Sequence, residues 1–490
     1  MGGVILLFFI VPKKVQWIVL LAASLGFYLT WGWEALPFLA GSTFIAWICA
    51  RLISGKYKEI KDPAPAKKQA RPFLLLALTG LLGVLLYSKI GNVIARSDPT
   101  VRIISILGVS YFTFSLIAYV ADVYWRKIKA EPNYFRLLLF VSYFPKVLQG
   151  PISRQNFLGP QLREEHKFNY SDFCNGLQLM VWGYFKKLVI ADRLALMTNR
   201  VFGNIEGESG SHLLVAAMFA AVQLYCDFSG CMDIAGGLSE VLGLKLEQNF
   251  DHPFFSNSAA EFWRRWHITL GNWFRDYVYM PLVISPRLIG LSKKVRERFG
   301  KRAGKAVMTV VPSLAVWILT GLWHSTGWNY VVWGLYWFTL ITGSTIFAPE
   351  IKKFTKLLRI NTETEGWSLF QTVRTFFLFV IGRILTVPGD LGLSMKVFGK
   401  IFGDFRIRNL VDESLYTLGM DRPDFILACV CMLILLVVSR MQLKGSVRER
   451  IARQNIVLRW AIYYLAFFAV LIFGIYGPGY DAGSFVYMQF

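Results

Sequence analysis

The sequence predicts an all-α protein that crosses a membrane many times. Three observations carry that prediction. First, 55% of the 490 residues are hydrophobic and 16% aromatic, against only 17% charged; a soluble chain of this length carries about 25% charged residues. Second, mean hydropathy is +0.45, a surplus too large for one water-facing globule to hide. Third, the apolar residues fall in runs near the span length. About 20 residues at 1.5 Å each cross a 30 Å hydrocarbon core.

Taken in order, the expected spans lie near 15–33, 36–54, 73–90, 103–121, 134–150, 173–191, 211–232, 306–323, 328–347, 371–387, 424–439 and 459–476. The run 1–12 is short for a full span and adds at most one more. Its positive charge follows the apolar stretch and no small-residue cleavage site comes after, so it does not read as a signal peptide. Glycine and proline break several runs, which makes those candidates for re-entrant segments. The total is 11 to 13 spanning or re-entrant helices. No internal repeat and no separable soluble region appears, so residues 1–490 read as a single membrane-embedded domain. The stretch 62–69 reads as a flexible loop.

The net charge of +22 comes from 53 Lys and Arg against 31 Asp and Glu. No basic region stands apart from the apolar runs, which argues against a nucleic-acid partner. The basic residues cluster instead between spans, at 51–71, 122–136, 287–305 and 440–459, and the positive-inside rule places these four on the cytoplasmic side. Segment 91–102 falls on the opposite side. The six cysteines form no C-x-x-C pair and no zinc spacing, and read as small apolar residues.

Candidate chemistry concentrates in four places. Residues 306–349 contain no Asp, Glu, Lys or Arg, and His324 is their only side chain that titrates near neutrality. A buried ionisable group is costly and needs a partner or a task; position alone is equally compatible with a packing histidine and a working one. His267 lies in 261–277, where Phe262, Trp263, Trp266, Leu270, Trp273 or Phe274, and Tyr277 make one helical stripe. Arg264, Arg265 and Arg275 supply charge. The segment reads either as an interfacial helix anchored by Trp and Arg, the more economical reading, or as a cationic wall beside an anionic or thioester substrate. In 225–238, Asp227 and Asp233 stand at i, i+6 on different faces and read as structural acceptors beside small residues that permit close packing. In 142–154, Pro145, Gly150 and Pro151 surround Gln149. Such a break suits a cavity wall, or an ordinary kinked helix end. His166 reads as solvated. No metalloprotease, serine-hydrolase, Walker or dinucleotide-binding motif occurs in a suitable context.

Four blocks in order resemble the membrane-bound O-acyltransferases, in the bacterial branch of alginate O-acetylation and teichoic acid D-alanylation. They are Ser-Tyr-Phe-Pro-Lys-Val-Leu-Gln-Gly-Pro-Ile-Ser-Arg (142–154), Tyr-Cys-Asp-Phe-Ser-Gly-Cys-Met-Asp-Ile-Ala-Gly-Gly-Leu (225–238), Glu-Phe-Trp-Arg-Arg-Trp-His through Met-Pro-Leu (261–282) and Leu-Thr-Gly-Leu-Trp-His-Ser through Gly-Leu-Tyr (319–336). The likeness runs from about residue 15 to the closing Phe-Val-Tyr-Met-Gln-Phe. Two departures stand out: Ser325 follows the Trp-His pair where the family commonly has Gly, and 283–305 is longer and more basic than in the alginate type.

The resemblance implies a ring of helices around a central tunnel. It implies His324 as the catalytic histidine and His267 as the second histidine of the family. Trp266, Asn329, Gln149 and Arg265 become substrate-binding candidates by block position. It implies an acetyl group moved from acetyl-CoA on the cytosolic side to a cell-surface polysaccharide, finished by an extracellular partner protein, in a bacterial plasma membrane. No bound cofactor or metal is required. The chemistry suits such a histidine: burial keeps an imidazole neutral, so it can take a hydroxyl proton during attack on a thioester. D-alanyl transfer from a carrier protein is the alternative within the class. The Trp-Arg-Arg-Trp-His form and the length lean toward acetylation. A non-enzymatic transporter or flippase is the alternative outside it, and the lack of internal symmetry counts against that.

Overall fold

The structure, a computed structural model, describes residues 2–98 and 100–476. The closing Phe-Val-Tyr-Met-Gln-Phe of the resemblance lies outside the described residues. The described residues form helices and one isolated antiparallel bridge, with no strand. Eight of these helices are long and apolar enough to cross a membrane, or nine if the bent pair Trp328–Ile346 and Ala348–Leu357 counts as one span. The protein is therefore a multi-pass, all-α membrane protein. Burial sorts the spans: Gly210–Val241 is 72% buried, whereas Ile456–Phe473 has no fully buried residue, as suits a helix with one face to lipid.

The chain divides into two compact units, Met1–Val181 with Cys231–Gln248, and Trp182–Gly230 with Asn249–Phe490. In the first unit, the short helix Gly2–Ile10 precedes three long ones, Gln16–Trp31, Leu36–Glu59 and Pro63–Ser97. Pro63–Ser97 starts inside the stretch expected to be a loop. Asp62 caps it by accepting from the Ala64 amide at 3.1 Å, and Pro63 and Pro65 sit in the first turn, where no amide hydrogen is needed. Val109–Tyr124 has 16 residues, nearly all buried, so it serves as core. Segment 134–150 is two short helices, Tyr134–Ser142 and Phe144–Val147. Tyr143 between them is buried and hydrogen-bonds Ser239 at 3.2 Å. A Cβ on Gly237 would stand 2.5 Å from the Gly176 carbonyl oxygen; only small residues permit that crossing.

In the second unit, Pro286–His324 is two helices merged across Gly300, whose φ is 89°. The basic part folds back, with Ser292 Oγ donating to the Gly304 carbonyl at 2.8 Å. The part after Gly300 is long enough to span. It packs against Trp328–Ile346 at two glycines. A Cβ on Gly321 would run into the Tyr330 carbonyl, and one on Gly334 would lie 2.5 Å from that of Trp317. An aromatic core closes around this crossing. Phe262, Trp266 and Trp337 are buried, and Trp263 meets Trp317, Trp333 and Trp337 at 5.2–5.5 Å between centroids. The polar stretch 388–423 forms Leu391–Gly403 and two short 3-10 turns, tied to residues 206–212 by Lys396–Glu206, Ser211–Arg406 and His212–Ser414 bonds.

The crossing gives a stability test. Gly334→Val has to displace main chain, so we expect a loss of about 1–3 kcal/mol, read as a lower thermal unfolding midpoint of the purified protein. Gly343→Ala in the same helix points into open space and should leave the midpoint unchanged or slightly raised.

Candidate active site

His324 is the last residue of its helix. The chain turns at Ser325, whose amide caps back to the Gly321 carbonyl at 3.0 Å, and a new helix starts at Trp328. This helix end places the imidazole inside the aromatic core, at 7% exposure. Trp323 and Trp333 meet it edge-on at 4.8 and 5.3 Å, and Tyr330 stacks on it at 5.9 Å. The ring lines a cavity of about 30 Å³ with Trp263, Trp266, Tyr330, Trp333 and Phe379. Leu224, Arg383 and Thr386 complete the lining.

His267 reaches the same core by a different route. The stretch 261–277 is not one helix. It breaks into Ala259–Arg265 and Ile268–Phe274, followed by a π-turn at Arg275–Tyr279. The cause is pairing with residues 249–251. The Asp251 amide donates to the Arg265 carbonyl at 2.9 Å and the Ile268 amide to the Asn249 carbonyl at 3.0 Å, around the Phe250–Trp266 bridge. These bonds replace helical ones and hold His267 left-handed, at φ 48° and ψ 50°, a conformation costly for a residue with a Cβ. Phe262 and Trp266 are therefore core residues, and the reading of 261–277 as an interfacial helix is overturned.

The His267 ring is 2% exposed and meets Phe228 at 4.8 Å and Trp323 at 5.7 Å. The Trp323 indole thus touches both imidazoles. Burial pushes the His267 pKa down to about 3, so the ring is neutral at pH 7. Its Nδ1 lies 3.4 Å from Asn249 Oδ1, which also accepts from the Thr269 amide at 3.0 Å and hydroxyl at 2.7 Å. An oxygen already accepting two bonds can only accept a third. Nδ1 therefore carries the proton and the lone pair is on Nε2.

The other expected site residues separate. Trp266 lines the cavity. Asn329 is buried nearby in the helix after His324, and its Nδ2 has no hydrogen-bond partner among the described residues, but it is not part of the lining. Arg265 pairs with Glu261 at 2.8 Å and is turned to fixing its own helix. Gln149 belongs to the first unit, where it is 1% exposed with both amide atoms unpaired among the described residues. The remaining histidines are held by polar partners. His212 sits between Glu208 at 2.9 Å and Ser414 at 3.0 Å, and His252 between Asp251 and Gln442. His166, expected to be solvated, is half-buried with Nε2 2.8 Å from the Gln161 carbonyl. Asp227 is the expected structural acceptor: it takes Lys187 Nζ at 2.6 Å, which also reaches Asp192 at 2.8 Å.

The cavity residues missed by sequence reasoning are Leu224, Trp263, Tyr330, Trp333, Phe379, Arg383 and Thr386. Arg383 left a readable mark. It and Arg374 are the charged residues of the expected span 371–387, and a charge inside a span points to function. The aromatic residues left none, because 16 Trp and 40 Phe offer no way to tell a cavity wall from a lipid-facing side chain.

Residues 73–363 match the family model of the membrane-bound O-acyltransferases. The chain is 30% identical over 424 residues to the probable alginate O-acetylase of Pseudomonas syringae pv. tomato, covering 84% of this chain and 74% of the relative. It is 27% identical over 458 residues to the peptidoglycan O-acetyltransferase of Helicobacter pylori, covering 86% and 82%. It is 28% identical over 293 residues to the teichoic acid D-alanyltransferase of Bacillus subtilis, covering 58% and 68%. His267 and His324 fall inside the matched 73–363; Arg383 falls beyond it.

The buried His267 has a pH signature. Its folded-state value lies below the ordinary value of 6.5, so unfolding takes up a proton at acid pH. The stabilisation is full above about pH 6.5 and is lost as pH falls toward about 3. We expect His267→Gln to flatten the acid-side decline of the unfolding midpoint between about pH 6.5 and 4; parallel declines in both proteins would contradict it.

Proposed function

The chain belongs to the membrane-bound O-acyltransferase family, and from that premise we propose that it transfers an acetyl group from acetyl-CoA on the cytosolic side to a cell-surface polysaccharide. The setting is a bacterial plasma membrane, and an extracellular partner protein finishes the transfer to polymer. The names and coverage of the acetyl-transferring relatives support acetyl over D-alanyl. The alanyl relative aligns over a shorter part of the chain.

One observation carries the residue assignment: His324 is the single imidazole on the wall of an aromatic cavity of about 30 Å³. His324 acts as the base. It takes the proton of the acceptor hydroxyl while that oxygen attacks the thioester carbonyl carbon. The carbonyl oxygen carries the charge of the tetrahedral intermediate. As the carbon–sulfur bond breaks, the proton passes from the imidazole to the leaving thiolate. Trp266 walls the acyl group. His267, neutral with its lone pair on Nε2, acts through Trp323, which it shares with His324. Asn329 supplies an amide group toward the substrate, and Arg265 keeps the helix before His267 in place.

The test is acetyl ester content of surface glycans in cells expressing each variant at wild-type membrane level. His324→Ala should lower it by at least about 10³-fold, and His267→Ala by on the order of 10²-fold. Preserved acetylation with His324→Ala would sink the assignment.

A further inference from the structure

Arg383 shares the cavity with His324 and Thr386, and it is the one charged side chain in that lining. It sits three residues from the end of the span Glu365–Thr386. Its position is fixed from two sides. Nη1 donates to Thr386 Oγ1 at 3.0 Å, and that hydroxyl donates in turn to the Arg383 carbonyl at 3.1 Å. Gly382 lets the helix lie against Trp337, since a Cβ there would come within 3.1 Å of the indole. A guanidinium stays charged at every working pH. Walls of Trp, Tyr and Phe keep the local dielectric low, which magnifies any charge interaction inside. The neutral imidazole handles the proton, yet the reaction also builds a negative oxygen on the acyl carbon. That oxygen needs a fixed positive or donating group.

We propose that Arg383 is the oxyanion-stabilising residue of this site and that its charge selects neutral acyl groups over aminoacyl groups. The inference rests on the acetyltransferase reading above and goes beyond it, since Arg383 lies outside the segment that matches the family. In the step, the hydroxyl oxygen–carbon bond forms and the carbonyl π pair moves onto oxygen, facing the guanidinium. When the carbon–sulfur bond breaks, that pair returns to the carbonyl. Arg383 exchanges no proton or electron. The same charge repels the ammonium of an aminoacyl group, which would have to enter the cavity beside it. A neutral acetyl group meets no such barrier.

The experiment uses inverted membrane vesicles carrying the full chain, with acyl-CoA added outside and free thiol measured. Acetyl-CoA tests the oxyanion role. Glycyl-CoA and propionyl-CoA, alike in shape and different in charge, test selectivity. Arg383→Gln should lower kcat for acetyl-CoA by on the order of 10²-fold, with KM within about twofold. The propionyl-over-glycyl preference should shrink by about tenfold or more. Unchanged kcat, a rise in KM alone, or an unchanged preference each overturns the proposal. Arg383→Lys decides if the glutamine variant fails to accumulate: it should lose part of kcat with the fork geometry and keep the preference, and a lost preference refutes the charge argument. His324→Ala runs alongside. If its thiol release equals wild type, the acetyltransferase reading itself falls; if it is silent while Arg383→Gln is normal, only the Arg383 assignment falls.

Discussion

The second unit depends on an aromatic core that buries the imidazoles of both His324 and His267. Trp323 lies edge-on to both His324 and His267, so one indole contacts two rings. Trp333 and Tyr330 close the remaining sides of His324. The arrangement depends on backbone approach. Without side chains at Gly321 and Gly334, Pro286–His324 and Trp328–Ile346 come close enough for the helix end to point inward.

The second histidine depends on backbone of another kind. A regular helix through 261–277 would have carried residue 267 round to the face set by the 3.6-residue period. The pairing of 249–251 with 265–268 breaks that period, and the left-handed His267 is the result. Such strain persists where the surroundings over-determine it. Here two backbone hydrogen bonds, the buried Phe228 face and the Asn249 side chain do so. Both candidate histidines thus stand where a helix stops.

Charge inside the second unit is treated in two ways. Lys187 is neutralised at once by Asp227 and Asp192, and Lys186 Nζ reaches Ser229 Oγ at 2.9 Å, beside a π-turn that presents both lysines to the same helix. These are structural contacts, and they hold Gly210–Val241 where it passes the π-turn. Arg383 instead lines a cavity that His324 also lines. The difference between a structural charge and a working one is the company it keeps, which neither charge declares by itself.

Hydropathy determined the fold class and most long spans, because a lipid-facing helix must be apolar over its whole length and that demand is written in consecutive residues; the family resemblance rested on four residue motifs. Hydropathy determined His324 as a candidate too, since one titratable group in 44 uncharged positions is conspicuous. Val109–Tyr124 looked like a span and proved a buried core helix, because lipid and protein interior ask for the same side chains. The helix start at Asp62 was masked by prolines that are harmless in a first turn. What only the tertiary structure decided is which aromatic rings face the cavity, the break before His267, the ion pair that occupies Arg265, and the presence of Arg383 beside His324. Each of these rests on a contact between residues far apart in the chain, and the physics of such contacts lies in distances that local sequence does not encode.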